Sequence, residues 1–141
     1  MRLSSFAGLW EVERDIDDLR ERRRGRFSGT AAFTPAGDGL AYVERGVLRL
    51  PDQPQMTAER RYVWRETADG RVEVRFEDGR FFHSFAPSEP DPEAQHDCPP
   101  DHYQVSYDFR AWPHWRARWR VFGPRKDYEM VSWFRRAEDE A

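Results

Sequence analysis

The chain has 141 residues, a length suited to one domain spanning residues 1–141 rather than two. Its formal net charge is −3 with 35% of residues charged, so there is no global basic field and nucleic acid is not expected as a partner. Aromatic residues make up 15% of the chain, and that share of large side chains argues against disorder despite a mean hydropathy of −0.96.

Period-two alternation recurs along nearly the whole chain and predicts strands. Trp10, Val12, Arg14 and Ile16 share one face of the first, opposite Glu11 and Glu13. From Asp15 to Gly25 the pattern changes and predicts a short helix. Its acids come first, Arg20 to Arg24 follow, which complements the helix dipole, and Gly25 can end it. Phe27, Gly29, Ala31 and Phe33 then share a face, and Leu40, Tyr42 and Glu44 begin another strand that bends or bulges at Gly46. Tyr62 and Trp64 alternate with Arg61, Val63 and Arg65. Val72, Val74 and Phe76 follow, then Phe81, His83 and Phe85 after an Asp78-Gly79 hairpin turn. Pro87 to Pro100 is the longest stretch without a strand pattern. Beyond it come Tyr103 to Phe109, Trp115 to Val121 and Tyr128 to Phe134.

About nine short sequential strands joined by tight turns predict an all-β, antiparallel up-and-down barrel, closed to hide its edges. The inward faces carry all five tyrosines (Tyr42, Tyr62, Tyr103, Tyr107 and Tyr128) together with Arg14, Glu44, His83 and Trp119. Bulky aromatics with polar tips predict a cavity of ligand size around a small, partly apolar molecule. The competing reading is a filled core whose hydroxyls reach water or backbone. Buried Arg14 needs an acceptor, and Glu44 is the candidate. One cysteine excludes an internal disulfide and fits a reducing compartment. The N-terminus has no signal-peptide pattern and no stretch reaches membrane-spanning length, so a cytoplasmic protein without a membrane partner is expected.

Three of the four histidines and the cysteine fall close together as His83, His96, Cys98 and His102, with Asp101 and Tyr103 beside them. His96-x-Cys98-x3-His102 offers donors that zinc accepts. The spacing matches no standard zinc pattern, and Pro99-Pro100 restricts the loop, so no metal is assigned. His83 and Asp101 are instead the acid–base candidates if the barrel is an enzyme of isomerase, cyclase or lyase type. His96 and Cys98 belong to a loop over the barrel entrance, and Lys126 guards the mouth as an anion contact or stands as a solvated turn residue. Arg116, Arg118 and Arg120 form an outward stripe, with Arg60, Arg61 and Arg65 on another strand. The tryptophans face the other side of the sheet, which makes a base-stacking platform unsuitable. A structural or partner-binding barrel with a filled core remains the third reading.

Gly8-Leu9-Trp10 in the first strand and Arg135 in the last resemble the calycin superfamily, which includes lipocalins and fatty-acid-binding proteins. The resemblance implies that Arg135 packs over Trp10 to close the barrel. The cysteine pair and Thr-Asp-Tyr motif of secreted lipocalins are missing. Some calycin barrels, of the nitrobindin type, bind haem through one histidine, but here the late strands carry only His114 at an edge, so no haem is assigned. Asp78-Gly79-Arg80-Phe81-Phe82-His83, His96-x-Cys98-x-x-Asp101-x-Tyr103 and Trp119-Arg120-Val121-x-Gly123-Pro124-x-Lys126-Asp127-Tyr128 resemble an uncharacterised bacterial family of small calycin-like domains of unknown function.

Overall fold

The structure, a computed structural model, describes residues 1–137. A 3-10 turn (Leu3–Phe6) precedes ten strands: β1 (Gly8–Asp18), β2 (Arg23–Ala36), β3 (Gly39–Arg49), β4 (Met56–Glu66), β5 (Val72–Phe76), β6 (Phe81–Phe85), β7 (Glu93–Cys98), β8 (Asp101–Asp108), β9 (Trp115–Phe122) and β10 (Asp127–Arg136). Every strand pairs antiparallel with its chain neighbours, except that β6 and β7 do not pair, and β1 pairs with β10. The sheet is therefore an up-and-down barrel, nearly closed, with one seam between β6 and β7. Phe82 of β6 and His96 of β7 cover that seam edge to face, with ring centroids 5.4 Å apart. No helix among the described residues is long and apolar enough to cross a membrane.

The predicted helix at Asp15 to Gly25 does not form. β1 continues to Asp18, a turn follows with Arg22 at φ 54°, and β2 starts at Arg23. The acid-then-base order that suits a helix dipole suits an antiparallel hairpin equally well. Asp15, Asp17 and Asp18 come opposite Arg26, Arg24 and Arg23, and Arg26 Nε approaches Asp15 Oδ1 at 3.3 Å. The alternation of Val12, Arg14 and Ile16 into the barrel decides between them, because a helix would break the pairing of β1 with both neighbours. The bend expected at Gly46 is a close approach rather than a register shift. Gly29 and Gly46 are directly paired, and a Cβ on either would run into the opposing backbone.

Two further expectations are corrected. A bulge between Val74 and Arg75 breaks the alternation of β6, so Phe82 and His83 are both buried while Phe81 is exposed. The stretch from Pro87 to Pro100 is not all loop, since its second half is β7, which places His96 and Cys98 on an edge strand.

The core is uneven along the barrel. At one end Phe6, fully buried, meets Trp64, Trp112 and Trp115 with ring centroids 5.3, 5.1 and 5.4 Å away. Trp10 Nε1 donates to the Phe6 carbonyl at 2.8 Å, which holds the 3-10 turn in place as a plug. At the other end the inward positions are Tyr103, Val121 and Tyr128 in one cross-strand row, with both tyrosines half-buried.

The cation over Trp10 is Arg136, not Arg135. Its guanidinium lies 3.9 Å from the indole centroid and donates to the Ser5 and Ala7 carbonyls, both at 2.6 Å. Arg135 points outward to Glu11 at 2.5 Å. Neighbouring strand residues face opposite ways, so only one of the two arginines can close the plug. Arg136→Ala is expected to lower stability by roughly 1–2 kcal/mol, and Arg135→Ala by less than about 1 kcal/mol, in urea unfolding. Equal losses would remove the closure role.

Candidate functional site

The middle of the barrel is polar. Arg14 of β1 and Glu44 of β3 form a bidentate pair at 2.8 and 2.6 Å, and both are almost fully buried. Arg14 Nε also donates to Ser132 Oγ of β10 at 2.6 Å, while the Tyr42 hydroxyl donates to Glu44 Oε1 at 2.6 Å. Burial pushes the Glu44 carboxyl up, but the Arg14 bonds and charge outweigh it and hold the group below the ordinary carboxylate range. Burial likewise pushes the Tyr42 and Tyr62 phenols up, so both stay neutral.

Beside this network His83 Nε2 lies 2.8 Å from the Tyr107 hydroxyl. Burial, with a smaller contribution from the charge of His96, drives the His83 pKa down to about 3, so the ring is neutral. Burial raises the Tyr107 phenol, which keeps its proton. If Tyr107 donates to Nε2, one polar group is left over, the Nδ1–H. If the ring donates instead, both the phenol hydrogen and Nδ1 are stranded. We therefore assign Tyr107 as donor and Nδ1–H as the tautomer. His83 Nδ1 and Trp115 Nε1 are both buried without a hydrogen-bond partner.

Arg14, Tyr42, Glu44, Tyr62, His83, Tyr107, Trp115, Trp119 and Ser132 line one cavity, together with Arg60. Its volume is about 40 Å³, which corrects the expectation of a ligand-sized space. The indoles of Trp64, Trp115 and Trp119 all border it. Room remains for a water or two, far short of the several hundred cubic ångströms of a small-molecule site. On one side the wall is half-buried, formed by Arg60, Tyr62 and Trp119.

Other expected residues fall outside this cavity. Asp101 pairs with Lys126 at 3.0 Å near the polar end, and that bond raises the lysine pKa. His83 and Asp101 do not share the cavity, so the expected acid–base pair is not assembled there. Tyr103 and Tyr128 sit at the same polar end. His96 packs on Phe82 at the seam, Cys98 is exposed, and His102 pairs with Asp97. No three His, Cys, Asp or Glu side chains among the described residues converge on a metal position. Arg60 and Trp115 were not singled out from sequence as site residues. Their signal was parity: Arg60 shares the face of Tyr62 and Trp64, and Trp115 that of Trp119.

A groove of about 610 Å³ lies outside the barrel beside the exposed Trp133. Its charged rim is internally paired, with Glu11 to Arg135 and Asp108 to Arg110 and Arg116.

Two outcomes are expected of the interior groups. Arg14→Met is expected to cost about 3–5 kcal/mol by stranding the Glu44 carboxylate, with much of that recovered when Glu44→Gln is added. The measurement is a double-mutant cycle in urea, and additivity would refute the coupling. The His83 pKa is lower in the folded state than in the unfolded one, so between pH 3 and 6.5 the unfolded chain binds the extra proton. Stability is therefore expected to fall as pH drops from about 6.5 toward 3, with His83 contributing up to about 1.4 kcal/mol per pH unit. Urea unfolding of His83→Gln should show a shallower slope between about pH 4.5 and 6.5, and an unchanged slope would reject the buried neutral imidazole.

A family model described as a family of unknown function (DUF6314) matches residues 6–136. No curated protein matches the chain. Among solved structures, an S-type phycobiliprotein lyase from Guillardia theta is similar in fold, with a TM-score of 0.68 over 99% of this chain and 95% of that one. Sequence identity is 9%, so the likeness is one of fold alone.

Proposed function

From the premise that this chain belongs to the DUF6314 family of unknown function, we propose that it is a small-molecule-binding barrel whose ligand enters from the Arg60–Tyr62–Trp119 side. The observation that carries this reading is the pair of buried donors, His83 Nδ1–H and Trp115 Nε1–H, left unpaired in residues that line one cavity. An unmatched buried polar group costs roughly 1–3 kcal/mol, and a core under selection for stability alone would replace it with an apolar side chain. An acceptor-bearing guest supplies the missing partners. The half-buried Trp119 and Tyr62 are the side chains free to move, and their displacement converts a water-sized void into a larger one.

The similar structure, a phycobiliprotein lyase, is an enzyme built on a barrel of this fold. The geometry favours binding over catalysis in this chain. A histidine with a pKa near 3 is neutral at working pH and a poor base, and Asp101 is engaged with Lys126 outside the cavity.

The test is titration with a neutral fluorescent probe, N-phenyl-1-naphthylamine. One saturable site per chain is expected, with affinity lowered several-fold by Trp119→Ala and changed by Tyr107→Phe, each variant still unfolding cooperatively in urea at a stability lowered by about 1–3 kcal/mol. No saturable binding, or an affinity indifferent to Trp119→Ala, would sink the reading. Recovery of a chemically altered probe would instead make the barrel an enzyme.

A further inference from the structure

The cavity wall contains a cation with no ion-pair partner of its own. Arg60 of β4 comes directly opposite Glu44 of β3 and its charge acts on that carboxylate, yet the close hydrogen bonds of Glu44 go to the Arg14 fork and the Tyr42 hydroxyl instead. The guanidinium of Arg60 reaches Met130 Sδ at 3.7 Å, lies over the Trp119 ring at 5.5 Å and has the Tyr62 phenol beside it. Among the described residues no carboxylate comes within ion-pair distance of it. The other charged or titratable groups near this wall are Arg14, Glu44, Tyr62 and Tyr128. Burial pushes both phenols up, and His83 is neutral, so none of these three supplies a negative charge. Arg14 and Arg60 against Glu44 alone leave one excess positive charge, in a chain whose net charge is −3.

We propose that the molecule bound by this barrel is a monovalent carboxylate on a planar apolar body, with its carboxylate on Arg60 and its plane along Trp119 and Tyr62. This deepens the small-molecule reading and rests on it. A guanidinium is always charged and presents a planar fork that matches a carboxylate in two hydrogen bonds. One excess charge suits a monoanion, whereas a phosphate dianion would leave a negative charge uncompensated beside Glu44. Deeper in the cavity, the unpaired His83 Nδ1–H and Trp115 Nε1–H call for a second acceptor on the same molecule, such as a keto or ring-nitrogen group. The opposite donor–acceptor pattern, a cationic or donor-rich guest, would meet three groups that can only donate.

The test compares 2-naphthoate with its neutral analogue 2-naphthalenemethanol by quenching of tryptophan fluorescence. The carboxylate is expected to bind about tenfold more tightly, about 1.4 kcal/mol. Arg60→Gln is expected to bring the two within about twofold, and raising salt from about 0.02 to about 0.5 M is expected to weaken only naphthoate. The salt arm needs no variant, so it stands even if Arg60→Gln does not fold. Equal affinities in the parent protein, or a preference that survives both Arg60→Gln and salt, overturn the proposal while small-molecule binding stands. Binding of neither naphthalene, together with no binding of N-phenyl-1-naphthylamine, overturns both.

Discussion

The bidentate pair between Arg14 and Glu44 is the constraint around which this barrel is organised. Withdrawing two charges from water is tolerable only if each meets an opposite charge and its remaining hydrogen-bonding capacity is filled. Ser132 and Tyr42 do that filling, which ties β10 and β3 to β1 through side chains as well as through the sheet. A polar layer in mid-barrel contributes little hydrophobic stabilisation. The apolar burial is therefore concentrated at the plugged end, where Trp115 meets Phe6 and Trp10 edge to face and Trp64 packs tilted on Phe6. The pair also sets the electrostatics of the wall, because Glu44 spends its close contacts on Arg14 and Tyr42 and acts on Arg60 only at longer range.

The same arrangement explains why the interior is tight. Indoles from β4 and β9 meet in the interior, and about 40 Å³ is left beside the polar layer. What distinguishes this space from a packing defect is its lining. Voids left by imperfect packing are apolar, whereas this one is lined by residues that carry buried donors lacking acceptors and by a cation without an ion-pair partner. Its borders are half-exposed on one side and enclosed on the other, since Tyr62 and Trp119 are half-buried while His83 and Tyr107 are buried.

Much of this was legible in the residues, and the failures have identifiable physical causes. Inward positions of β1, β3 and β9 follow alternation and were read correctly, as was the partnership of Arg14 with Glu44. The hairpin at Asp18 to Arg23 was misread because opposite charges in series satisfy a helix dipole and a cross-strand ladder alike, and only pairing with β10 distinguishes them. Phe81 was placed inward because a bulge between Val74 and Arg75 leaves no mark in the pattern of β6. The His/Cys cluster divides between a buried strand, a seam and an exposed turn, so proximity in sequence did not become proximity in space. Arg60 was grouped with Arg61 and Arg65 by type, although the parity of Tyr62 and Trp64 places it on the opposite face from both.

The sequence by itself determined the up-and-down strand order and which faces turn inward, because alternation, turn residues and short connections are local signals. It also determined that the interior is aromatic and polar together. Only the tertiary structure decided where the barrel stays open, which of two adjacent arginines covers Trp10, how little space the indoles leave, and which buried groups lack partners. Those outcomes depend on register and on distances between residues far apart in the chain, such as the 118 positions separating Arg14 from Ser132. No local pattern encodes them, since each arises from the closure of the sheet.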